Sequence, residues 1–346
     1  MNDFNLNAWS INENFTDPIK VNENSSLLAK NYLKKMIYIR AVEQKVADLR
    51  RDGLIGGPVH LCIGQEAVPV GISSSLHKTD SIYGAHRSHG HLLALDTDLR
   101  KFFAELLGKS TGLSKGMGGS MHLIDKSVGF QGSVPIVAGT VSLAVGNGLA
   151  FKIKKSKNIS LAYLGDGAVE EGVVHEALNF AKVHKIPILF VVENNFFSSH
   201  LHISLRQSYS SVSRFANAHG IESAIVDGNN VIDMSQAAEQ MISNIRETSE
   251  PAFIEAITYR LIGHVDWRVD IDVGVERSEK DLRVWKQRDP IKRLKEGLIK
   301  FGTITDKDYQ IMLSKTDVVI QKALNQAIED REPTSDTTLD VVFSKG

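Results

Sequence analysis

Apolar positions carry no period over the first 26 residues and then fall into helical register. Leu27, Leu28, Tyr32, Leu33, Met36, Ile39 and Val42 recur three and four apart. The spacing predicts a helix from Leu27 to about Arg51, stopped at Gly53. Gly56, Gly57 and Pro58 read as a turn. Helices follow over Gln65–Leu76 and Asp98–Leu107, then a glycine-rich loop from Gly112 to Gly119. The centre alternates apolar runs with helical periods. Ile159–Leu164 reads as a strand ending at Gly165, Ala168–His184 as a helix with Val174, Ala177, Leu178 and Ala181 on one face, and Ile186–Val192 as a buried strand. Ser223–Val226 and Ala252–Thr258 are further strands around a helix over Ile232–Arg246. This alternation predicts an α/β fold, a parallel sheet flanked by helices on both faces. From Ser278 the chain reads as helices with a turn at Gly302. No repeat or linker interrupts it, so residues 1–26 are expected as a loose arm and 27–346 as one domain.

Residues between Lys126 and Lys152 carry no charge, yet Gly129, Gly132, Gly139, Gly146 and Gly148 break the run. A membrane span needs about 20 mostly large apolar residues. This stretch reads instead as a buried loop and helix against close backbone neighbours, and no membrane association is expected. The N-terminus has neither the basic start nor the apolar core of a signal peptide. Lys plus Arg is 40 and Asp plus Glu 41, a net charge of −1 that leaves no basic footprint for nucleic acid. A single cysteine, Cys62, excludes an internal disulfide or a multi-cysteine metal site and fits a reducing cytoplasm; in its apolar run it reads as a packed thiol.

Three phosphate-loop candidates fail on spacing. Gly108-Lys109-Ser110 has Phe103 where a Walker loop needs glycine. Gly116-x-Gly118 and Gly146-x-Gly148 meet Met121 and Phe151 where the third dinucleotide glycine belongs. His86, His89 and His91 are close enough in sequence to suggest zinc, but a stronger metal signal lies elsewhere. Gly165-Asp166-Gly167 is followed, 29 residues after the aspartate, by Asn195 in Glu193-Asn194-Asn195. Strand, crossover helix and strand bring Asp166 and Asn195 to the same carboxyl edge of a parallel sheet, where such folds bind ligands. A carboxylate beside an amide oxygen suits Mg²⁺ shared with substrate phosphates. Gly165, Gly167 and the following Ala168 let a diphosphate approach the backbone.

This GDG…NN pair is the thiamine-diphosphate signature, and further blocks accompany it in order: Tyr38-Ile-Arg, His60-Leu-Cys-Ile-Gly-Gln-Glu-Ala67, His86-Arg-Ser-His-Gly90, Ala104-Glu-Leu-Leu-Gly-Lys109, Lys115-Gly-Met-Gly-Gly-Ser-Met-His122 and Tyr259-Arg260…Gly263-His264. From about Leu27 to Leu294 the chain resembles the alpha subunits of thiamine-diphosphate-dependent 2-oxo acid dehydrogenases of the pyruvate, branched-chain and acetoin types. The resemblance implies that Asp166, Asn195 and the carbonyl of Phe197 ligate Mg²⁺. It places Arg87 on the diphosphate, with His86 beside it where a tyrosine is often found, and makes Arg260 a second phosphate candidate. His264 falls on the histidine of the acid–base steps and of acyl transfer to the lipoyl group. Ile136 and Val137, within Val134–Ala138, replace a more glycine-rich stretch beside the cofactor ring. His200 and His202 are active-site-loop candidates.

The resemblance further implies decarboxylation of a pyruvate-like 2-oxo acid, with the acyl group passed to a lipoyl acyltransferase. The glutamate that activates the cofactor belongs in this family to a separate beta subunit, so an alpha-2 beta-2 heterotetramer is expected and the chain alone should be inactive. Val265–Asp272 stands where many relatives carry a phosphorylatable serine loop, so kinase control by that route is not expected. That difference keeps a second reading open, a carboligase or transketolase-like transfer of a two-carbon unit to an aldehyde, ketone or sugar. A non-catalytic scaffold is the third, and the intact Asp166, Asn195, Arg87 and His264 set speaks against it.

Overall fold

The apolar runs of the central chain become one parallel sheet in the computed structural model, which describes residues 13–209, 211–269 and 277–335. In chain order the strands are β1 (Ser81–Gly84), β2 (Phe130–Ser133), β3 (Ser160–Gly165), β4 (Ile188–Asn194), the two-residue β5 (Phe197–Ser198) and β6 (Leu201–His202), β7 (Glu222–Asp227) and β8 (Ala252–Ile257). The sheet runs β2-β1-β3-β4-β8-β7 with parallel neighbours, while β5 and β6 form a small antiparallel pair. The helices are α1 (Ser26–Arg51), α2 (Ala67–Ser73), α3 (His89–Ala94), α4 (Leu99–Leu106), α5 (Val141–Ile153), α6 (Gly172–Val183), α7 (Ser213–Ala218), α8 (Val231–Thr248), α9 (Glu279–Gln287), α10 (Pro290–Phe301) and α11 (Asp306–Ile328).

Side chains alternate between the faces of a strand, and the core divides accordingly. Leu161, Leu189, Val191 and Ile254 join the cluster that includes Leu33 and Met36 of α1 and Met234 of α8. Ala162, Leu164, Phe190, Val192 and Phe253 join the one that includes Ala144 of α5 and Leu178 of α6. Both faces of the middle strands are covered, which is why those strands read as continuous apolar runs. The ladder pairs Gly165 with Glu193 and Asn194 with Ile257, so β3, β4 and β8 end level with one another.

Several elements differ from the sequence reading. Strands β1 and β2 have four residues each, Ser-Ile-Tyr-Gly and Phe-Gln-Gly-Ser, too short to show a period. Strand β4 is shifted two residues along, because Pro187 has no N–H for the ladder and because Glu193 and Asn194 still pair. The helix expected over Ala168–His184 breaks at Glu171, whose extended backbone separates a 3₁₀ turn over Ala168–Glu170 from α6. The uncharged stretch after Lys126 holds a 3₁₀ turn, strand β2, a loop and the start of α5, and no helix among the described residues is long and apolar enough to cross a membrane. Of the expected loose arm, residues 13–25 are described, and Ile19 is packed: it is buried, and its N–H donates to the Arg293 carbonyl at 3.1 Å. Residues 1–12 and 336–346 lie outside the described residues.

The loop from Gly112 to Gly119 has an occupant of its own. The buried carboxylate of Glu105, on α4, accepts from the N–H groups of Ser114 (2.6 Å), Gly116 (3.0 Å), Gly118 (2.7 Å) and Gly119 (3.1 Å). Gly116 sits at φ +76°, and a Cβ there would meet the Gly108 carbonyl carbon at 2.5 Å. The glycines let the backbone curl around a protein carboxylate and leave these donors none for a phosphate.

Candidate functional site

Asp166 leaves the end of β3 almost fully buried, and its Oδ1 accepts from the Asn195 N–H at 3.3 Å. Asn195 follows directly on β4, and its own Oδ1 accepts from the Phe197 N–H at 3.3 Å. Between them Phe196 takes φ +69°, a left-handed backbone that is a genuine outlier for a bulky residue. Asn194 holds that kink: its Oδ1 accepts from the Phe196 N–H at 3.1 Å, while its Nδ2 donates to the buried Glu255 of β8 at 2.8 Å. Glu255 also takes the N–H groups of Val212 (3.2 Å) and Ser213 (2.8 Å), which ties the loop after β6 to the sheet. The sharp turn at Asp166 needs Gly167, where a Cβ would meet Ser198 Oγ at 2.5 Å. A Cβ at Gly165 would meet nothing within 4 Å, so Gly165 leaves space open. Arg206, from the 3₁₀ turn after β6, ion-pairs with both Asp166 and Glu170. Burial raises the Asp166 carboxyl above its usual range, with Arg206 opposing that shift.

A cavity of about 300 Å³ opens over these strand ends. Its opposite wall is cationic and imidazole-rich. Arg87, three residues past the end of β1, is buried and donates through Nη1 to the Leu61 carbonyl (2.9 Å) and through Nη2 to His264 Nδ1 (3.3 Å) and the His264 carbonyl (3.0 Å). Arg260, just past β8, is 2% exposed; its Nη2 donates to the Ser199 carbonyl at 2.9 Å, and its buried Nη1 has no hydrogen-bond partner among the described residues. Burial lowers both guanidinium pKa values, Arg87 to about 10 and Arg260 well below its ordinary value. Rings of His60, His86 and His264 stand 4.7, 5.1 and 5.6 Å apart between centroids. Burial first, then the charge of Arg87, pushes their pKa values down to about 2, 3 and 2, so all three are neutral at pH 7.

The cavity brings together His86, Arg87, Ile136, Val137, Gly165, Asp166, Gly167, Ala168, Asn195, Phe197 and His264, while Arg260 stands behind it through Ser199. Ile136 and Val137 lie at the rim with 70% and 48% exposure, so the cavity is edged by uncovered apolar surface. The histidines at 86, 89 and 91 do not converge. His89 turns to Glu43 (2.9 Å) and Ser120 (2.7 Å), and His91 stacks on Tyr163 at 3.6 Å. His200 reaches the cavity side with its ring 5.7 Å from that of His264, whereas His202 caps the next turn through Ser204. Of the segment over residues 265–272, Val265–Val269 is described and 270–272 lies outside. Three lining or supporting residues had no role assigned from sequence. His60 lies within a quoted block, Glu193 precedes Asn194, and Arg206 has no motif at all.

The oxygen set of Asp166 and Asn195 calls for a cation, and the buried arginines, with one nitrogen unpartnered, call for an anion beside it. The residues present therefore fit a metal-bound diphosphate. The profile of the family described as "Dehydrogenase E1 component" matches residues 33–336. The chain belongs to this E1 family. Among its relatives, the alpha subunit of the acetoin:2,6-dichlorophenolindophenol oxidoreductase of Bacillus subtilis (strain 168) is 40% identical over 269 residues, 77% of this chain and 79% of the relative. The pyruvate dehydrogenase E1 component subunit alpha of Rhizobium meliloti (strain 1021) is 35% identical over 301 residues, covering 87% and 85%. That of Zymomonas mobilis (strain ATCC 31821) is 35% identical over 273 residues, covering 78% and 76%. Membership of the E1 family implies thiamine diphosphate as the cofactor.

Proposed function

We propose that this chain is the alpha subunit of a thiamine-diphosphate- and Mg²⁺-dependent 2-oxo acid dehydrogenase, which decarboxylates a pyruvate-like acid and, with a beta subunit, passes the acyl group to a lipoyl acyltransferase. The observation that carries it is the pairing, over one sheet edge, of the Asp166–Asn195 oxygen set with buried Arg87 and Arg260. Asp166, Asn195 and the Phe197 carbonyl would hold the metal, and the two arginines the diphosphate. The bound cofactor supplies the carbanion chemistry by taking up the electron pair released with CO₂. The chain itself binds and orients. Arg87 donates to Nδ1 of His264, which leaves the ring proton on Nε2 and fixes the neutral imidazole as a donor toward the cavity. A second donation, to the His264 carbonyl, holds the loop in register with that ring.

The apolar rim at Ile136 and Val137 supports a site completed by another subunit. The relatives' names favour this reading over carboligation, and because one is named for acetoin, acetoin belongs among the substrates tested. The test is to co-purify the chain with its beta subunit, titrate thiamine diphosphate with Mg²⁺ calorimetrically, and supply pyruvate, branched 2-oxo acids or acetoin with an artificial electron acceptor. Acceptor reduction coupled to an acyl product is expected. A carbon–carbon bond product would move the assignment to a carboligase, and failure of the assembled enzyme to bind the cofactor would leave a scaffold.

A further inference from the structure

His60, His86 and His264 come from three separate places in the chain: the turn before α2, the loop after β1 and the loop after β8. Each offers a ring nitrogen, and the three nitrogens lie within 4.8 Å of one another. Four-coordinate zinc holds its nitrogens at about 2.0–2.1 Å, hence about 3.3 Å from each other, so closure asks for movements of at most about 1.5 Å. His86 and His264 are only half-buried. His60 is 7% exposed, and its buried Nδ1 has no hydrogen-bond partner among the described residues. The Asp166–Asn195 oxygens suit a hard cation such as Mg²⁺. Three imidazoles suit a borderline one, and the two sites share the same cavity without sharing a ligand.

We propose that His60, His86 and His264 form a second, inhibitory metal site for Zn²⁺ or a similar transition-metal dication, which takes His264 out of service when filled. The site leaves a fourth position open for water or for His200, whose ring lies 5.7 Å from that of His264. Three neutral imidazoles bind a metal without first releasing protons. Opposing this are the cations Arg87 and Arg260, and Arg87 Nη2 must give up its 3.3 Å contact with His264 Nδ1 if the metal binds there. Glu193, on the same cavity wall, is the carboxylate that offsets them. The third imidazole, His86, stands where a tyrosine is often found in the family that the sequence resembles. The inference does not depend on which substrate the enzyme uses.

The experiment titrates Co²⁺ into the assembled alpha–beta enzyme with Mg²⁺ in excess, so that the oxygen site is occupied. One equivalent per alpha chain should develop the intense visible absorption of four-coordinate cobalt. Zn²⁺ should bleach it, and Zn²⁺ inhibition should follow the same midpoint. His86→Tyr should weaken Co²⁺ binding at least about tenfold while keeping the wild-type unfolding temperature. Should that variant fold poorly, His60→Gln serves the same purpose. The proposal falls if no such absorption appears, or if affinity is unchanged in a folded His86→Tyr or His60→Gln enzyme.

Discussion

Asp166 is a carboxylate almost fully removed from water, and its Oδ2 meets the Arg206 guanidinium. A metal there depends on one formal negative charge, so Asp166→Asn is expected to weaken Mg²⁺-dependent cofactor binding at least about a hundredfold. Calorimetry on the assembled enzyme reads this directly, and an unchanged affinity would remove Asp166 from the metal site. The three cavity histidines make a different demand. Their folded pKa values of about 2 to 3 lie below the roughly 6.5 of an unfolded chain. Between those values the unfolded chain binds protons that the folded one refuses. Their contribution is therefore fully present above about pH 6.5 and is lost as pH falls below it. Scanning calorimetry should show the unfolding temperature dropping from pH 7 to pH 5, with a shallower drop in His86→Tyr. At this scale the spacing alone showed that Asp166 and Asn195 meet at one strand edge. The sequence gave no sign of Arg206, which only the fold carries to Asp166 from 40 residues away in the chain.

Elements show why some of the architecture was readable and some not. β3, β4 and β8 are buried on both faces and spell out their burial in apolar runs. β1 and β2 are short and rich in small residues, and their pairing comes from neighbours rather than from composition. The glycine-rich loop was legible as a loop, but its role was not, because its anchor is a single glutamate within a neighbouring helix. Removing that anchor leaves four part-buried backbone N–H groups without their acceptor, a loss of about 3 kcal/mol. Glu105→Ala is expected to unfold several degrees below the wild type, whereas Glu105→Gln, which keeps one acceptor oxygen, should fall between them. A Glu105→Ala protein as heat-stable as wild type would show that the loop holds itself. The kink at Phe196 is the complementary case: a strained backbone, held by Asn194 and Glu255, beside the residues on which the site depends.

At the scale of the whole molecule the cavity is unevenly finished. Its floor is closed by strand ends and paired side chains, while Ile136 and Val137 present apolar surface at the rim. Hydrogen exchange over residues 134–138 is expected to slow severalfold when the beta subunit is added; unchanged exchange there would place the subunit contact elsewhere. Arg206 gives the assembled enzyme a history. Its guanidinium holds the Asp166 carboxylate that a magnesium ion would claim, so loading there would be an eviction: one positive charge would leave as two arrived. An eviction takes time in a way that filling a vacant place does not. Enzyme that meets the metal last should start with a curved progress trace, enzyme incubated with it should start straight, and Arg206→Ala should erase the difference. The order in which the parts meet then decides how soon the reaction begins.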